Sequence, residues 1–279
     1  MTNILSEIVD RKRQIVARLQ ADRASRDFRD CALNIRANAV PHRLLRALES
    51  DSPRTKIIAE FKRRSPSAGI IRSDLSPTYV ARCYERGGAC AISVLSDEGY
   101  FGGSIADLSA VRVSTSLPVL RKDFIIDPIQ LYEAAITSAD AVLLITATLD
   151  DNSLGKLREV AEDELGLDTL MEVHTSEELR RALNAGAKII GVNNRDLQTF
   201  QVSVETSERL VLETPRDRIM ISESGLQNAE PISRLQALGF RGFLIGEALM
   251  RAADPEKALR DLIAAVENRQ LTSATADRS

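Results

Sequence analysis

The chain has 279 residues, 44% hydrophobic and 28% charged, with a formal net charge of −3. That composition suits a globular chain that buries a core, as one large domain or two ordinary ones. Its mild acidity gives no basis for nucleic acid or an anionic membrane as partner, and no run approaches the ~18 apolar residues that span a bilayer.

Cys31, Cys83 and Cys90 form no CxxC pair, and His42 and His174 are the only histidines. This argues against a disulfide framework or a metal centre and points to a reducing cytoplasm. Met1-Thr2-Asn3 opens onto a charged segment rather than a signal pattern. With no tryptophan and 4% aromatics, a stacking platform for single strands is not expected. A small molecule is the expected partner.

Residues 4–20 place Ile4, Leu5, Ile8, Val9, Ile15, Val16 and Leu19 at near-helical spacing, which predicts an amphipathic helix. Residues 21–50 continue as polar sequence, with a second apolar set at Leu44, Leu45 and Leu48 before Asp51-Ser52-Pro53. Residues 1–50 carry too little apolar surface to fold alone, so they are read as an extension packed on the rest of the chain.

From Lys56 onward one pattern repeats: a short β-type run, a turn, an amphipathic helix. The predicted strands are 56–61, 89–95, 118–123, 140–146, 168–173, 188–193, 218–222 and 242–246. The helices between and after them are expected over 76–87, 104–115, 128–138, 152–166, 176–186, 203–213, 227–239 and 254–268. Thr175-Ser176-Glu177-Glu178 and Asp254-Pro255 are helix starts, and Gly87, Gly166, Gly186 and Gly239 are helix ends. Eight such units predict an α/β fold, a (β/α)₈ TIM barrel with an N-terminal helical extension, as one domain over 1–268. A doubly wound sheet is the alternative, but no strand is followed by a GxGxxG turn. Residues 269–279 are small and polar and are expected to be a disordered tail.

Barrel interiors are apolar and barrel active sites lie at the C-terminal strand ends, so charge at those ends is informative. Alternation puts Glu60 and Lys62 on one face of the first strand, and Lys122 on the face of Leu120 and Phe124 in the third. Glu172 ends the fifth strand, Asn193, Asn194 and Arg195 end the sixth, and Ser222-Glu223-Ser224-Gly225 ends the seventh. Any one of these could be a buried ion pair that only staples the core. Two lysines, three glutamates and an asparagine on one rim instead suit general acid–base catalysis. The small residues of Ser224-Gly225 and Gly246-Glu247, with a short helix beginning there, predict a phosphate site in the last two loops. A lone histidine just past a strand end is more often a rim residue than a base, so His174 is left outside the predicted site. Cys83 and Cys90 are read as packing residues, and the Arg, Ser and Gly content of loop 63–73 predicts movement over the site.

With these residues placed, the chain resembles the indole-3-glycerol phosphate synthase family. The resemblance rests on Glu60-Phe61-Lys62-Arg63-Arg64-Ser65-Pro66-Ser67, Leu120-Arg121-Lys122-Asp123-Phe124 and Asn193-Asn194-Arg195-Asp196-Leu197. It also rests on Ser222-Glu223-Ser224-Gly225, Ile245-Gly246-Glu247-Ala248-Leu249-Met250 and the loop from Leu95 to Ser104. It implies ring closure of 1-(2-carboxyphenylamino)-1-deoxyribulose 5-phosphate, with loss of CO₂ and water, as a carboxy-lyase step of tryptophan biosynthesis.

The same resemblance implies Lys122 as general acid, Glu172 and Glu60 as the acid–base pair for dehydration, and Lys62 and Ser65 as partners for the substrate's anionic groups. Asn193 and Glu223 complete the polar shell, Arg195 contributes to binding, and Phe101 and Phe124 wall the aromatic ring. Ser224, Gly225, Gly246 and the backbone of Glu247 would hold the phosphate. Some relatives carry a hydroxyl residue at the position of Glu247, so its carboxylate is expected to turn away. No metal or organic cofactor is implied, and other tryptophan-pathway enzymes are candidate partners. The alternatives are a Schiff-base aldolase using Lys122 or Lys62, the neighbouring pathway isomerase, and a barrel that only binds a phosphorylated ligand.

Overall fold

The computed structural model describes residues 4–22, 27–196 and 199–276. Met1-Thr2-Asn3, Leu197 and the last three residues of the expected tail lie outside the described residues.

Eight parallel strands close into a barrel: β1 (Ile57–Phe61), β2 (Ala91–Leu95), β3 (Val119–Lys122), β4 (Ala141–Ile145), β5 (Asp168–Val173), β6 (Ile189–Asn193), β7 (Ile219–Glu223) and β8 (Gly242–Ile245). Each pairs with the next, and β8 closes on β1 through Ile57↔Phe243 and Ala59↔Ile245. Alternation splits the apolar strand residues between two cores. Ile58, Leu120, Leu143, Leu170, Ile189 and Ile221 fill the barrel. Ile57, Val94, Val142, Met171, Val192 and Phe243 face the surrounding helices. Lys122 is the one barrel-strand residue that is not buried.

The helices are α1 (Ile4–Ala21), α2 (Phe28–Arg36), α3 (Arg43–Glu49), α4 (Pro77–Gly87), α5 (Glu98–Phe101), α6 (Ile105–Arg112) and α7 (Pro128–Ile136). They continue as α8 (Asp151–Glu159), α9 (Ser176–Asn184), α10 (Glu205–Leu212), α11 (Ala229–Leu238), α12 (Glu247–Arg251) and α13 (Pro255–Ala276). Their starts follow side-chain chemistry: Thr175 accepts from the Glu178 N–H, and Asp254 Oδ1 accepts from the Lys257 N–H. At the end of α4 the left-handed residue is Gly88, at φ 97°, one residue later than the sequence placed it. The longest difference is at α13. It runs to Ala276 over residues expected as a disordered tail, because Arg269-Gln270-Leu271 extends the helix with good helix formers and the Thr272 hydroxyl bonds back to the Asn268 and Arg269 carbonyls.

The N-terminal extension reaches both ends of the barrel. From α3, Leu44 and Leu48 enter the interior core at its N-terminal end, where Leu48 packs against Gly242. An ion-pair network holds α3 there. Asp168 accepts from the His42 ring at 3.0 Å and from the Leu45 N–H at 3.0 Å, while Arg43 and Arg112 meet Asp140 at 2.9 and 2.7 Å. At the opposite end α1 brings Ile4, Leu5 and Ile8 to the mouth, and α2 packs on α7 between them. Among the described residues no helix is long and apolar enough to cross a membrane.

Because Leu48 is fully buried at the plugged end, Leu48→Ala should cost about 2–5 kcal/mol of stability and leave kcat within about twofold. Urea denaturation with steady-state kinetics checks this; an unchanged midpoint would contradict the plug.

Candidate active site

Five of the strands carry polar residues at or just past their C-terminal ends, Glu60 and Lys62 at β1, Lys122 at β3, Glu172 at β5, Asn193 at β6 and Glu223 at β7, and these meet in a cup of about 770 Å³ at the C-terminal end of the barrel. Lys122 Nζ lies 3.1 Å from Glu172 Oε2 and 3.2 Å from Glu223 Oε2. Lys62 Nζ lies 2.6 Å from Glu60 Oε1. All three carboxylates are buried, with 4% or less exposure. Two glycines make room for them: a Cβ on Gly191 would stand 2.1 Å from Glu223 Oε1, and one on Gly246 would stand 2.4 Å from Glu60 Oε1.

Charges taken out of water at this depth are costly unless matched by partners. Burial by itself would lower the Lys122 pKa, but Glu172, Glu223 and Glu60 outweigh it and raise it above the ordinary lysine value. One ammonium cannot fully compensate both of its neighbours. Burial works against the Glu172 carboxylate, yet Lys122, His174 and Asn193 bring its pKa below the usual range. Glu223 has the weaker set: burial pushes its carboxyl up to about 7, with Lys122 opposing and Glu172 adding to the rise, and its Oε1 has no hydrogen-bond partner. One carboxylate therefore stays ionised while its neighbour can hold a proton near neutral pH, as an acid–base site requires.

The loops after β7 and β8 lie beside this cluster. Ser224 and Gly225 adopt left-handed backbone at φ 67° and 78°, and a Cβ on Gly225 would collide with Val202 at 2.5 Å. Asn194 braces the turn, donating to Ser222 Oγ and to the Ser224 carbonyl at 3.0 Å each. Gly246 precedes α12, whose first residue is Glu247. The Glu247 carboxylate is engaged by Arg251 Nε at 3.0 Å, one turn along the helix, which accounts for its exposed orientation. Asn193 Oδ1 accepts from the Ser224 hydroxyl at 2.8 Å and from the Arg195 N–H at 3.0 Å, joining the two loops to the cluster. Arg195, Ser65 and Arg251 also line the cup.

The opposite wall is apolar. Phe101 and Phe124 sit with ring centroids 6.2 Å apart, and Ile4, Leu5 and Ile8 of α1 complete it. The anchor for α1 is Lys12, whose ammonium lies 2.7 Å from Asp123 and 3.2 Å from Asp97, all three nearly inaccessible. Asp123 is also met by Arg121 and accepts from the Phe124 N–H, so the α1 anchor and the aromatic wall share a carboxylate. Loop 63–73 is tied down by three arginines. Arg63 grips Asp107 at 2.5 and 2.8 Å, Arg64 donates to the carbonyls of Glu98 and Gly99, and Arg72 donates to the Ala252 carbonyl at 2.6 Å. Any opening of that loop has to break these contacts.

Every residue singled out in the sequence lies in or beside the cup. Lys12, the α1 residues, Arg251 and His174 join them unforeseen. Lys12 had a readable signal: it falls in the buried helical stripe Ile8–Lys12–Val16, where a lone charge needs a partner. His174, a rim residue by sequence, has its ring packed against Glu172 and Glu178. Cys83 is buried in α4, and burial pushes the Cys90 thiol up to about 12, so both behave as packing residues.

A closed parallel barrel with a lysine- and glutamate-lined cup at its C-terminal end defines a (β/α)₈-barrel enzyme. The chain belongs to the indole-3-glycerol phosphate synthase family: the family model of that description matches residues 5–262. Proteins named indole-3-glycerol phosphate synthase from Carboxydothermus hydrogenoformans and Bacteroides thetaiotaomicron are 44% and 43% identical to it. These alignments cover 93% and 96% of this chain and 99% and 100% of theirs. A protein of the same name from Desulfosudis oleivorans is 50% identical over 75% of this chain and 79% of its own. Among solved structures, a thiamine phosphate pyrophosphorylase from Pyrococcus furiosus superposes with a TM-score of 0.57 at 19% identity. It covers 77% of this chain and 96% of its own, a likeness of fold alone.

The uneven titration of the two carboxylates can be observed directly. In carboxyl-labelled protein one glutamate signal should titrate near pH 7 and vanish in Glu223→Gln; carboxyl NMR showing every site glutamate below pH 5 would contradict it.

Proposed function

We propose that the cup closes the indole ring of 1-(2-carboxyphenylamino)-1-deoxyribulose 5-phosphate. The observation that carries this reading is Lys122, a protonated lysine held between two buried glutamates and facing an aromatic-walled cavity. The ring carbon bearing the carboxylate attacks the ribulose carbonyl, and Lys122 delivers its proton to the developing oxyanion. Loss of CO₂ from that ring carbon returns the electron pair of the broken bond to the ring. The new hydroxyl then leaves as water, with one carboxyl group protonating it and another removing the proton from the adjacent carbon. Glu172 is suited to the base and Glu60 to the acid, Glu60 lying beside Lys62 and near Lys122.

Lys62 takes the substrate carboxylate, which places the attacking carbon against the carbonyl. Ser65 and Arg195 face the cup as further partners for anionic groups, and Phe101 and Phe124 hold the aromatic ring. Ser224, Gly225, Gly246 and the Glu247 N–H receive the phosphate. The turn geometry supports this, as does the diversion of the Glu247 carboxylate to Arg251. Asn193 and Glu223 keep Lys122 and the phosphate loop in register. A reaction of this kind fits an enzyme of the cytoplasm, with other enzymes of tryptophan synthesis as candidate partners.

Fluorescence of the indole product, formed from the carboxyphenylamino substrate by the purified chain, is the test; folded protein without signal overturns the reading. Lys122→Ala should lower kcat by about 10³-fold or more in protein that still folds by circular dichroism, and near-normal turnover would remove it as the acid. Lys62→Ala should chiefly raise KM and weaken positioning, whereas unchanged KM and kcat would remove that role. A covalent adduct on borohydride trapping would instead favour a Schiff-base aldolase.

A further inference from the structure

His174, two residues past Glu172 and just beyond the end of β5, carries a buried Nε2 with no hydrogen-bond partner. Its ring is set between two carboxylates: Nδ1 lies 3.3 Å from Glu178 Oε2, and Nε2 lies 3.7 Å from Glu172 Oε1. Glu178 is itself fixed at the start of α9. Its carboxylate accepts from the His174 N–H at 2.7 Å, and its own N–H donates to Thr175 Oγ1 at 3.1 Å. The helix start thus aims one face of the imidazole at Glu178 and the other at the cup.

The two oxygens of Glu172 are approached from opposite sides. Lys122 takes Oε2, and His174 Nε2 points toward Oε1. The charged groups facing the ring are Glu178 from α9, Glu172 from β5 and Glu223 from β7. Beyond Glu172 lie Lys122 and the neutral Asn193. Burial disfavours the imidazolium, but the Glu178 hydrogen bond and the surrounding carboxylates bring the ring's pKa above the ordinary histidine value. We propose that His174 is a positioning residue for Glu172. Gripped by Glu178, it presents Nε2–H to the carboxylate oxygen that Lys122 leaves free, fixing the orientation of Glu172 and keeping it ionised. A separation of 3.7 Å closes to a hydrogen bond with a small rotation of either side chain once substrate fills the cup.

The inference rests on Glu172 serving as a base, so Glu172→Gln is measured beside His174→Gln and Glu178→Gln, all in the full chain. Glutamine at position 174 retains a donor but no positive charge. Without that charge Glu172 takes up a proton at higher pH, so the acidic limb of kcat/KM should move upward by about half to one pH unit. kcat at neutral pH should fall about tenfold with KM little changed. In Glu178→Gln the ring, still protonated at the limb, loses only the partner of Nδ1, so kcat should fall by less and the limb should not rise. In His174→Gln a fall in kcat with the limb unmoved, or no effect, overturns the proposal and leaves His174 a structural residue. Near-normal turnover in Glu172→Gln would instead overturn the assignment beneath it. Should His174→Gln fail to fold by circular dichroism, His174→Asn takes its place, and an unmoved limb counts against the proposal.

Discussion

The site depends on a lysine kept protonated by the carboxylates around it. Lys122 is the single barrel-strand residue with partial access to solvent, and its ammonium touches two buried carboxylates within 3.2 Å. Removing the lysine leaves two buried glutamates near each other with no ammonium between them; breaking such a pair costs roughly 3–5 kcal/mol. The barrel's packed apolar layers supply the low-dielectric surroundings that make these interactions strong. Gly191 and Gly246 supply the space in which Glu223 and Glu60 can sit without strain. Stability and acid–base chemistry are therefore set by the same few contacts.

The ends of the barrel are closed by one N-terminal segment with two different tasks. Leu44 and Leu48 of α3 fill the end away from the chemistry, behind a ring of ion pairs that includes Asp140 and Asp168. The apolar side of α1 forms a wall of the cup, held by Lys12 through the same aspartate that receives the Phe124 N–H. The aromatic wall and the helix above it thus move together or not at all. The arginines of loop 63–73 add a third set of ties at the mouth, through Asp107, Glu98, Gly99 and Ala252.

The barrel was legible in the sequence because each strand is a short apolar run followed by a helix with its own capping residues. Charge inside such a run, as at Glu60, Lys122 and Glu172, is costly enough to mark a site without any knowledge of its partners. Elements whose stability comes from tertiary contact were harder to see. The helix Phe28–Arg36 is short, has no side-chain cap and is held against α7, and the four-residue helix Glu98–Phe101 exists through its Asp97 cap. The two-residue ladder Arg64–Ser65 with Gly69–Ile70 is too short to leave a periodic trace. Lys12 failed for another reason: its partners Asp123 and Asp97 are set by folding, and nothing in local sequence spacing brings a lysine of the first helix to the ends of two strands. The π-turn Val160–Glu164 likewise carries a buried Glu162 that accepts from the Thr169 hydroxyl on the outer face of β5.

The protonation state of Lys122 tests this account most directly. In protein labelled with ¹⁵N at lysine side chains, one ammonium signal absent from Lys122→Ala should persist to pH values above the ordinary lysine titration near 10.4. A Lys122 signal that titrates at or below pH 8 would mean that burial, not the carboxylates, governs the amine, and would contradict a proton held ready for the carbonyl.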